Sequence, residues 1–417
     1  MESFKKLGIS EDLIKSIVEA KFTEPTEIQA MAIPLAMAGK DIIGGSATGS
    51  GKTLAFGASI IDKAIPGAGL QALILTPTRE LAEQITQALT HFSKHKGLHV
   101  TAVYGGVGIE PQIYALRRAD IVVGTPGRIL DHMERETIQF DKIKTLVLDE
   151  ADRMLDMGFI DDVVSIIKSC PEDRQTFLFS ATISQDISHL AARYMKSPEE
   201  VAVDSYVDPS KLSQCYYDVP KEAKFSFLVH LLKHEHEGLV MVFCNTRTNT
   251  DFVARNLARY DIEAMAIHGG LTQARRNAIM EHFHKGRVFV LVCTDVAARG
   301  LDIKGVSHVY NYDLPNSSKD YIHRIGRTAR AGKDGKAISL VSNRDYDNFS
   351  RVLEDDSLKI ERMELPEFER VFVKFGDVRG RAFGGQRRGE GRGRDGGDRR
   401  GGDRRGGRGG GRFGGRR

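Results

Sequence analysis

Cysteine is scarce in this 417-residue chain, which has only Cys170, Cys215, Cys244 and Cys293. Their spacings of 45, 29 and 49 residues leave no C-x-x-C pair. That excludes a zinc knuckle and a disulfide scaffold and fits a reducing cytosol. Long apolar runs are also missing, since none approaches the ~18 residues of a membrane span. The opening stretch "MESFKKLGISEDLIKSIVEA" lacks the apolar core of a signal peptide. The expectation is a soluble, cytoplasmic protein. Its 41% hydrophobic content supports packed cores. Lysine is absent from the last 42 residues, which hold 14 Arg against 5 acids, a net of +9. The overall charge of +4 therefore leaves −5 on the remaining 375 residues. Such segregation suggests a tail that binds polyanions.

What the chain does have is a recurrence of short apolar, β-branched runs between helical patterns. The first half offers 71–76, 120–125, 145–150 and 176–182; the second offers 239–245, 264–269, 288–295, 306–313 and 337–342. Near-continuous apolar strands alternating with helices predict parallel sheets covered on both faces. Nine such strands exceed one comfortable sheet. The polar stretch "VDSYVDPSKLS" (203–213), broken by Pro209, reads as a connection. The expected organisation is an α/β domain over 1–204, a linker over 205–211, a second α/β domain over 212–368 and a tail over 369–417. With 18 Gly in its last 42 residues, the tail cannot offset its ordering entropy and is expected to be disordered. Its arginines, with Phe383 and Phe413, suit phosphates and stacked bases; the alternative is a solubility tail.

One absence is more specific. The stretch "DIIGGSATGSGKTLAF" (41–56) resembles the phosphate loop G-x-x-x-x-G-K-[ST], but Ser46 stands where the first glycine belongs. A strand, a turn of small residues and a helix start would aim backbone N–H groups and the helix dipole at one point. Lys52 would reach the β and γ phosphates and Thr53 would ligand Mg²⁺. By itself the stretch also fits an ordinary glycine-rich turn. A second site bears on it. The run "TLVL" leads into Asp149-Glu150-Ala151-Asp152. A carboxylate at the end of a buried strand is where a phosphate-loop enzyme holds Mg²⁺. Asp149 would do so, and Glu150 could act as general base on the attacking water. The same tetrapeptide also suits an acidic helix start.

With "SATGSGKT" before it and "SAT" (180–182) after it, the "DEAD" tetrapeptide resembles that of the DEAD-box RNA helicases, over about residues 4–345. The family's loop commonly reads A-x-T-G-x-G-K-T, and Ser46 replaces that alanine. The resemblance implies two tandem RecA-like domains that take ATP and Mg²⁺ and act on RNA. It assigns Ser46, Ala47, Thr48, Gly49, Ser50, Gly51, Lys52 and Thr53 to the phosphates. In "FTEPTEIQ" (22–29) it assigns Phe22, Thr26 and Gln29 to adenine; Gln29 can present a donor and an acceptor to its edge. The family often has Gly where this chain has Lys21, Pro where it has Glu27, and Gly where it has Ala329.

The RNA backbone, by the same resemblance, falls to Pro77, Thr78, Arg79, Gly105, Gly106, Thr125, Pro126 and Arg128 in the first domain. In the second it falls to Thr246, Arg247, Gly269, Thr294 and Arg299. Gln273 and Arg276 match a further RNA-contact segment, as does His268, although a lone histidine also reads as structural. Gly300 and Asp302 would lie by the γ-phosphate and ribose. Asp152, Ser180, Thr182, His323 and Arg324 would couple hydrolysis to domain closure. In "HRIGRTAR" (323–330), Arg327 and Arg330 are expected on one helical face, reaching the γ-phosphate as arginine fingers.

The expected function is local, ATP-dependent unwinding of RNA and remodelling of ribosomal or other ribonucleoprotein complexes, by a chain taken as monomeric. Closure would bend one strand and expel its partner. The competing readings are a translocating DNA helicase on the same fold and an ATP-gated RNA clamp.

Overall fold

The apolar runs become strands of two sheets, at inner positions except for 264–269, which forms an edge. The computed structural model describes residues 2–374 apart from 46–49, 181–182, 203–211, 236–237, 299–302, 304 and 330–333. The first sheet contains β1 (Ile42–Gly45), β2 (Ala72–Leu75), β3 (Val100–Val103), β4 (Ile121–Gly124), β5 (Thr145–Leu148), β6 (Gln175–Ser180) and β7 (Glu199–Ala202). The second contains β8 (Leu212–Asp218), β9 (Leu239–Phe243), β10 (Ala264–Ile267), β11 (Val290–Cys293), β12 (Val306–Asn311), β13 (Gly335–Val341) and β14 (Glu361–Met363). Every pairing is parallel. The orders are β3-β4-β2-β5-β6-β1-β7 and β10-β11-β9-β12-β13-β8-β14. Adding seven to each number of the first order gives the second, so one RecA-like topology occurs twice in the chain.

The period-two alternation of strand side chains explains why each sheet needs helices on both faces. In the first lobe, Leu73, Leu75, Leu146, Leu148 and Leu178 enter one core, while Ile74, Val147, Phe177 and Phe179 enter the other. In the second lobe, Val240 and Val242 face one way, and Met241 and Phe243 the other. Each such side chain contributes roughly 1.5–3 kcal/mol by leaving water. No described helix is long and apolar enough to cross a membrane, and the four cysteines are buried and unbridged.

Functional loops of parallel α/β sheets gather beyond the C-terminal ends of the strands. Most of the segments singled out from the sequence follow such ends; 22–29 precedes β1, and 323–330 starts in the helix Ser318–Ile325. Of those positions, Ser46, Ala47, Thr48, Gly49, Thr182, Arg299, Gly300, Asp302 and Arg330 lie outside the described residues, as does the tail from residue 375.

Candidate active site

The nucleotide side begins where β1 leads toward the helix Lys52–Lys63. Gly51 caps that helix at φ 96°, ψ 16°, a left-handed conformation that glycine adopts without penalty. A side chain there would also collide, since a Cβ would lie 2.4 Å from Gln29 Nε2 and 2.9 Å from Thr26 Oγ1. Gln29 is buried. Its Nε2 donates to the Gly51 carbonyl at 3.0 Å and its Oε1 accepts from the Thr26 N–H at 3.0 Å. The side chain therefore ties the start of the helix Glu27–Met37 to the phosphate loop. One amide hydrogen and one lone pair remain for an adenine edge. Phe22 leans on Phe92 with ring centroids 6.0 Å apart and is 39% exposed, which leaves ring surface open for stacking.

Lys52 and Asp149 are both buried, with Nζ 3.7 Å from Oδ1. Burial pushes the Asp149 carboxyl up to about 6, partly opposed by the Lys52 ammonium, and Glu150 adds a further upward push. A divalent cation would favour the carboxylate. The donor set suits Mg²⁺. Asp149 and Thr53 offer hard oxygens, and no cluster of three or more His, Cys, Asp or Glu able to cage a metal occurs among the described residues. Mg²⁺ usually takes one or two protein ligands and completes its shell with water and substrate phosphates.

Glu150 stands between β5 and the short helix Ala151–Asp156 at φ 52°, ψ 50°. A non-glycine residue in that region is strained by about 1–3 kcal/mol, and such strain concentrates at functional sites. Glu150 is buried, with Oε2 3.7 Å from Arg153 Nε. Asp152, also buried, accepts the Arg153 N–H at 3.0 Å. Ser180 ends β6 beside Gly45 of β1, next to the root of the phosphate loop.

From the second lobe, the helix Ser318–Ile325 brings His323 within the electrostatic reach of Asp152 and Arg153. Burial first, then the Arg153 charge, hold the imidazole neutral, well below the usual histidine range. Arg327 is buried and also acts on His323. The expectation that Arg327 sits on a helical face is corrected. The helix ends at Ile325 with Gly326 as its cap, so Arg327 lies in a turn. Arg324 proves to be an anchor inside the second lobe. Its guanidinium is 1% exposed. It bonds Asp295 twice (2.6 and 2.7 Å), Asn311 Oδ1 (3.2 Å), the Asp313 carbonyl (2.6 Å) and Asn245 Oδ1 (2.9 Å).

Two of the departures from the family pattern fall on left-handed backbone. Lys21 has φ 59° and Ala329 has φ 54°, which accounts for glycine at both places in the family. Left-handed geometry strains an L-residue by roughly 1–2 kcal/mol, and glycine's greater chain entropy returns part of the difference. Ala329→Gly and Lys21→Gly should each raise unfolding free energy by about 0.5–1 kcal/mol. Chemical denaturation measures this; a loss of stability would contradict the strain assignment.

A second cradle, away from the phosphate loop, is built twice. After β2, Thr78 caps the helix Arg79–Phe92, its hydroxyl accepting from Leu81 N–H at 3.3 Å. After β9, Thr246 caps the helix Arg247–Leu257 and accepts from Asn249 N–H at 3.1 Å. A glycine pair follows β3 (Gly105, Gly106) and β10 (Gly269, Gly270). In each lobe the first arginine of the helix lies against its pair. A Cβ on Gly106, at φ 80°, would be 1.9 Å from Arg79 Nη1, and one on Gly269 would be 3.5 Å from Arg247 Nη2. Thr125 follows β4 and caps the helix Pro126–Glu134; Thr294 follows β11. Arg128 donates to the Val107 carbonyl at 3.2 and 3.3 Å. Pro77 precedes the first threonine. Helix N-termini, threonine hydroxyls, arginines and close backbone are the groups that hold nucleic-acid phosphates.

Among the described residues, the second lobe has no phosphate site of the same kind. Lys224 opens the helix after β8 as Lys52 does after β1, but it bonds the Asp345 carboxylate at 2.9 Å. A cavity of about 490 Å³ beside it is lined by Asp218–Glu222 and Val341–Arg344, of mixed charge.

The sequence reading missed the groups that join the lobes. Arg276 Nε and Gln273 Nε2 donate to Glu80 Oε1 at 2.7 and 3.1 Å, and Asn277 Nδ2 to Glu83 Oε2 at 3.4 Å. Lys319 pairs with Asp156 at 3.1 Å. Glu80 and Arg276 are buried. Two acids at i, i+3 facing Gln, Arg and Asn at i, i+3, i+4 form complementary helix faces. That spacing was the available signal. Gln273 and Arg276, expected to contact RNA, here serve the lobe interface.

Residues 26–190 match the DEAD/DEAH box helicase family and residues 223–332 the helicase conserved C-terminal domain. The chain is 45% identical over 377 residues to the ATP-dependent RNA helicase CshA of Listeria monocytogenes, covering 89% of this chain and 72% of that relative. It is 43% identical to the DEAD-box ATP-dependent RNA helicase CshA of Bacillus subtilis, covering 88% and 75%. Among solved structures, S. cerevisiae Dbp5 bound to RNA and ADP BeF3 superposes with a TM-score of 0.79 at 33% identity, over 87% of this chain and 96% of that one. A DEAD box protein from Methanococcus jannaschii is 40% identical over 87% and 99%, yet scores 0.54.

Proposed function

This chain belongs to the DEAD-box family of ATP-dependent RNA helicases, and from that premise we propose how its own residues divide the work. The lobe arrangement carries the reading. The more identical Methanococcus protein superposes less well than Dbp5 bound to RNA and ADP BeF3. The better match at lower identity supports a lobe placement like that of the RNA-bound protein, and the lobes here are bridged by a buried Arg276–Glu80 pair. We read this arrangement as the closed, working state.

In this reading Gln29 and Phe22 take the adenine, and the loop through Gly51 takes the phosphates. Lys52 stabilises the transferring phosphoryl group. Asp149 and Thr53 would hold Mg²⁺, which would screen the phosphate charge. Glu150 accepts a proton from the attacking water. Arg327 enters from the second lobe, and the family pattern assigns Arg330, Gly300 and Asp302, outside the described residues, to the same task. Arginine in such a position is worth about 10³–10⁵ in rate. The twin cradles grip one RNA strand by its backbone, so the enzyme reads strand geometry rather than sequence, and 2′-hydroxyls favour RNA. Closure bends that strand and releases its partner; hydrolysis reopens the lobes.

We place the domains at 1–204 and 212–368. The Arg/Gly tail adds salt-sensitive affinity for RNA. Unbridged cysteines favour work in the cytoplasm. The test is ATP turnover with added RNA or DNA of equal length. RNA should stimulate strongly and DNA weakly; equal stimulation would remove RNA as the substrate.

A further inference from the structure

The duplicated cradle includes a part that the phosphate-binding residues do not use. In each lobe the residue just before the glycine pair is aromatic: Tyr104 before Gly105-Gly106, and His268 before Gly269-Gly270. In each lobe a carboxylate stands four residues after the arginine that opens the neighbouring helix: Glu83 after Arg79, and Asp251 after Arg247. The two sets are bonded alike. The Tyr104 hydroxyl donates to Glu83 Oε1. His268 Nδ1 accepts the Gly270 N–H at 3.1 Å, so Nε2 carries the hydrogen and donates to Asp251 Oδ1 at 3.2 Å. Carboxylate and arginine lie one helical turn apart, so the helix that places the arginine also fixes the glycine pair.

We propose that Tyr104–Glu83 and His268–Asp251 are equivalent positioning pins, one per lobe, that set each glycine pair at the height needed to receive the RNA backbone. The proposal rests on the RNA reading of the twin cradles. Burial first, and the Glu83 carboxylate second, keep the Tyr104 phenol protonated, so it remains a donor. The pins position the loop without building it. Gln112 Nε2 separately holds the carbonyls of Tyr104 (3.1 Å) and Gly108 (3.3 Å), so the first lobe's loop keeps its frame when its pin is removed. The first pin has one further link. Glu83 Oε2 accepts from Asn277 of the second lobe at 3.4 Å, so the first glycine pair is tied to lobe closure as well as to its own helix.

The test uses the full chain and ATP turnover titrated with a single-stranded RNA. Tyr104→Phe and Asp251→Ala should each raise the RNA concentration for half-maximal stimulation about three- to tenfold. Turnover without RNA and at saturating RNA should stay unchanged. Tyr104→Phe with Glu83→Ala should be no worse than the weaker-binding single variant, because they break one pin. Tyr104→Phe with Asp251→Ala should multiply, because they break two. Unchanged half-maximal RNA in both single variants, a fall only in saturated turnover, or multiplication within one pin would overturn the proposal. Should Glu83→Ala fail to fold, the two single variants and their combination still decide. Absence of RNA stimulation in the parent chain would instead refute the RNA reading itself.

Discussion

Glu150→Gln should bind ATP and RNA like the parent chain and turn over about 10²–10⁴-fold more slowly. The substitution keeps the shape and the hydrogen-bonding reach but removes the base. Glu150 is buried, held in a left-handed backbone between β5 and its helix at φ 52°, and adjoins the Asp149 carboxylate that faces Lys52. Strain of this kind persists only where the surroundings over-determine it, and glutamine inherits the same backbone. The loss should therefore fall on the chemical step. Single-turnover hydrolysis and nucleotide titration separate the two; turnover within tenfold of the parent would remove Glu150 as the base.

Arg324→Met should destabilise the second lobe by about 2–4 kcal/mol, somewhat below the ~3–5 kcal/mol for breaking a fully buried ion pair, because Asp295 keeps 25% exposure. Methionine keeps much of the volume over the Phe243 ring, where the guanidinium carbon now sits 5.1 Å from the centroid. It leaves Asp295, Asn311 and Asn245 without a shared donor. A buried acceptor stripped of its partner costs about 1–3 kcal/mol. Arg324→Lys should recover only part of this, because a point ammonium cannot reproduce the planar fork. Urea unfolding monitored in the second lobe measures it, and a loss below 1 kcal/mol would contradict the anchor role. The effect on ATP turnover follows indirectly. Arg324 fixes the helix that carries His323 and the turn that carries Arg327.

The inner strands were legible because parallel strands buried on both faces read as apolar runs. β2, β4 and β5 are buried throughout. The strands that went unread lack that signature. β3, at one sheet edge, is largely half-buried; β7 and β14, at the other edges, are largely or wholly exposed. β8 alternates and is flanked by the short β14. Motif residues were legible one by one, but their partners were not. "PTRELAEQ" does not disclose that Glu80 meets Arg276, because that contact depends on how two separately folded lobes meet. The spacing of Arg327 and Arg330 suggested a helix, whereas Gly326 and the left-handed Ala329 turn the chain away from one. Gln29 was read only as a contact for adenine; the carbonyl of Gly51 that it also holds lies 22 residues on.

Interlobe energy transfer, with one dye on the exposed surface of each lobe, tests the closure account most directly. RNA and a non-hydrolysable ATP analogue together should raise transfer sharply, while either alone leaves it near the value of the free chain. Transfer that does not change with both ligands, or that rises fully with RNA alone, would contradict an ATP site completed by closure of the lobes.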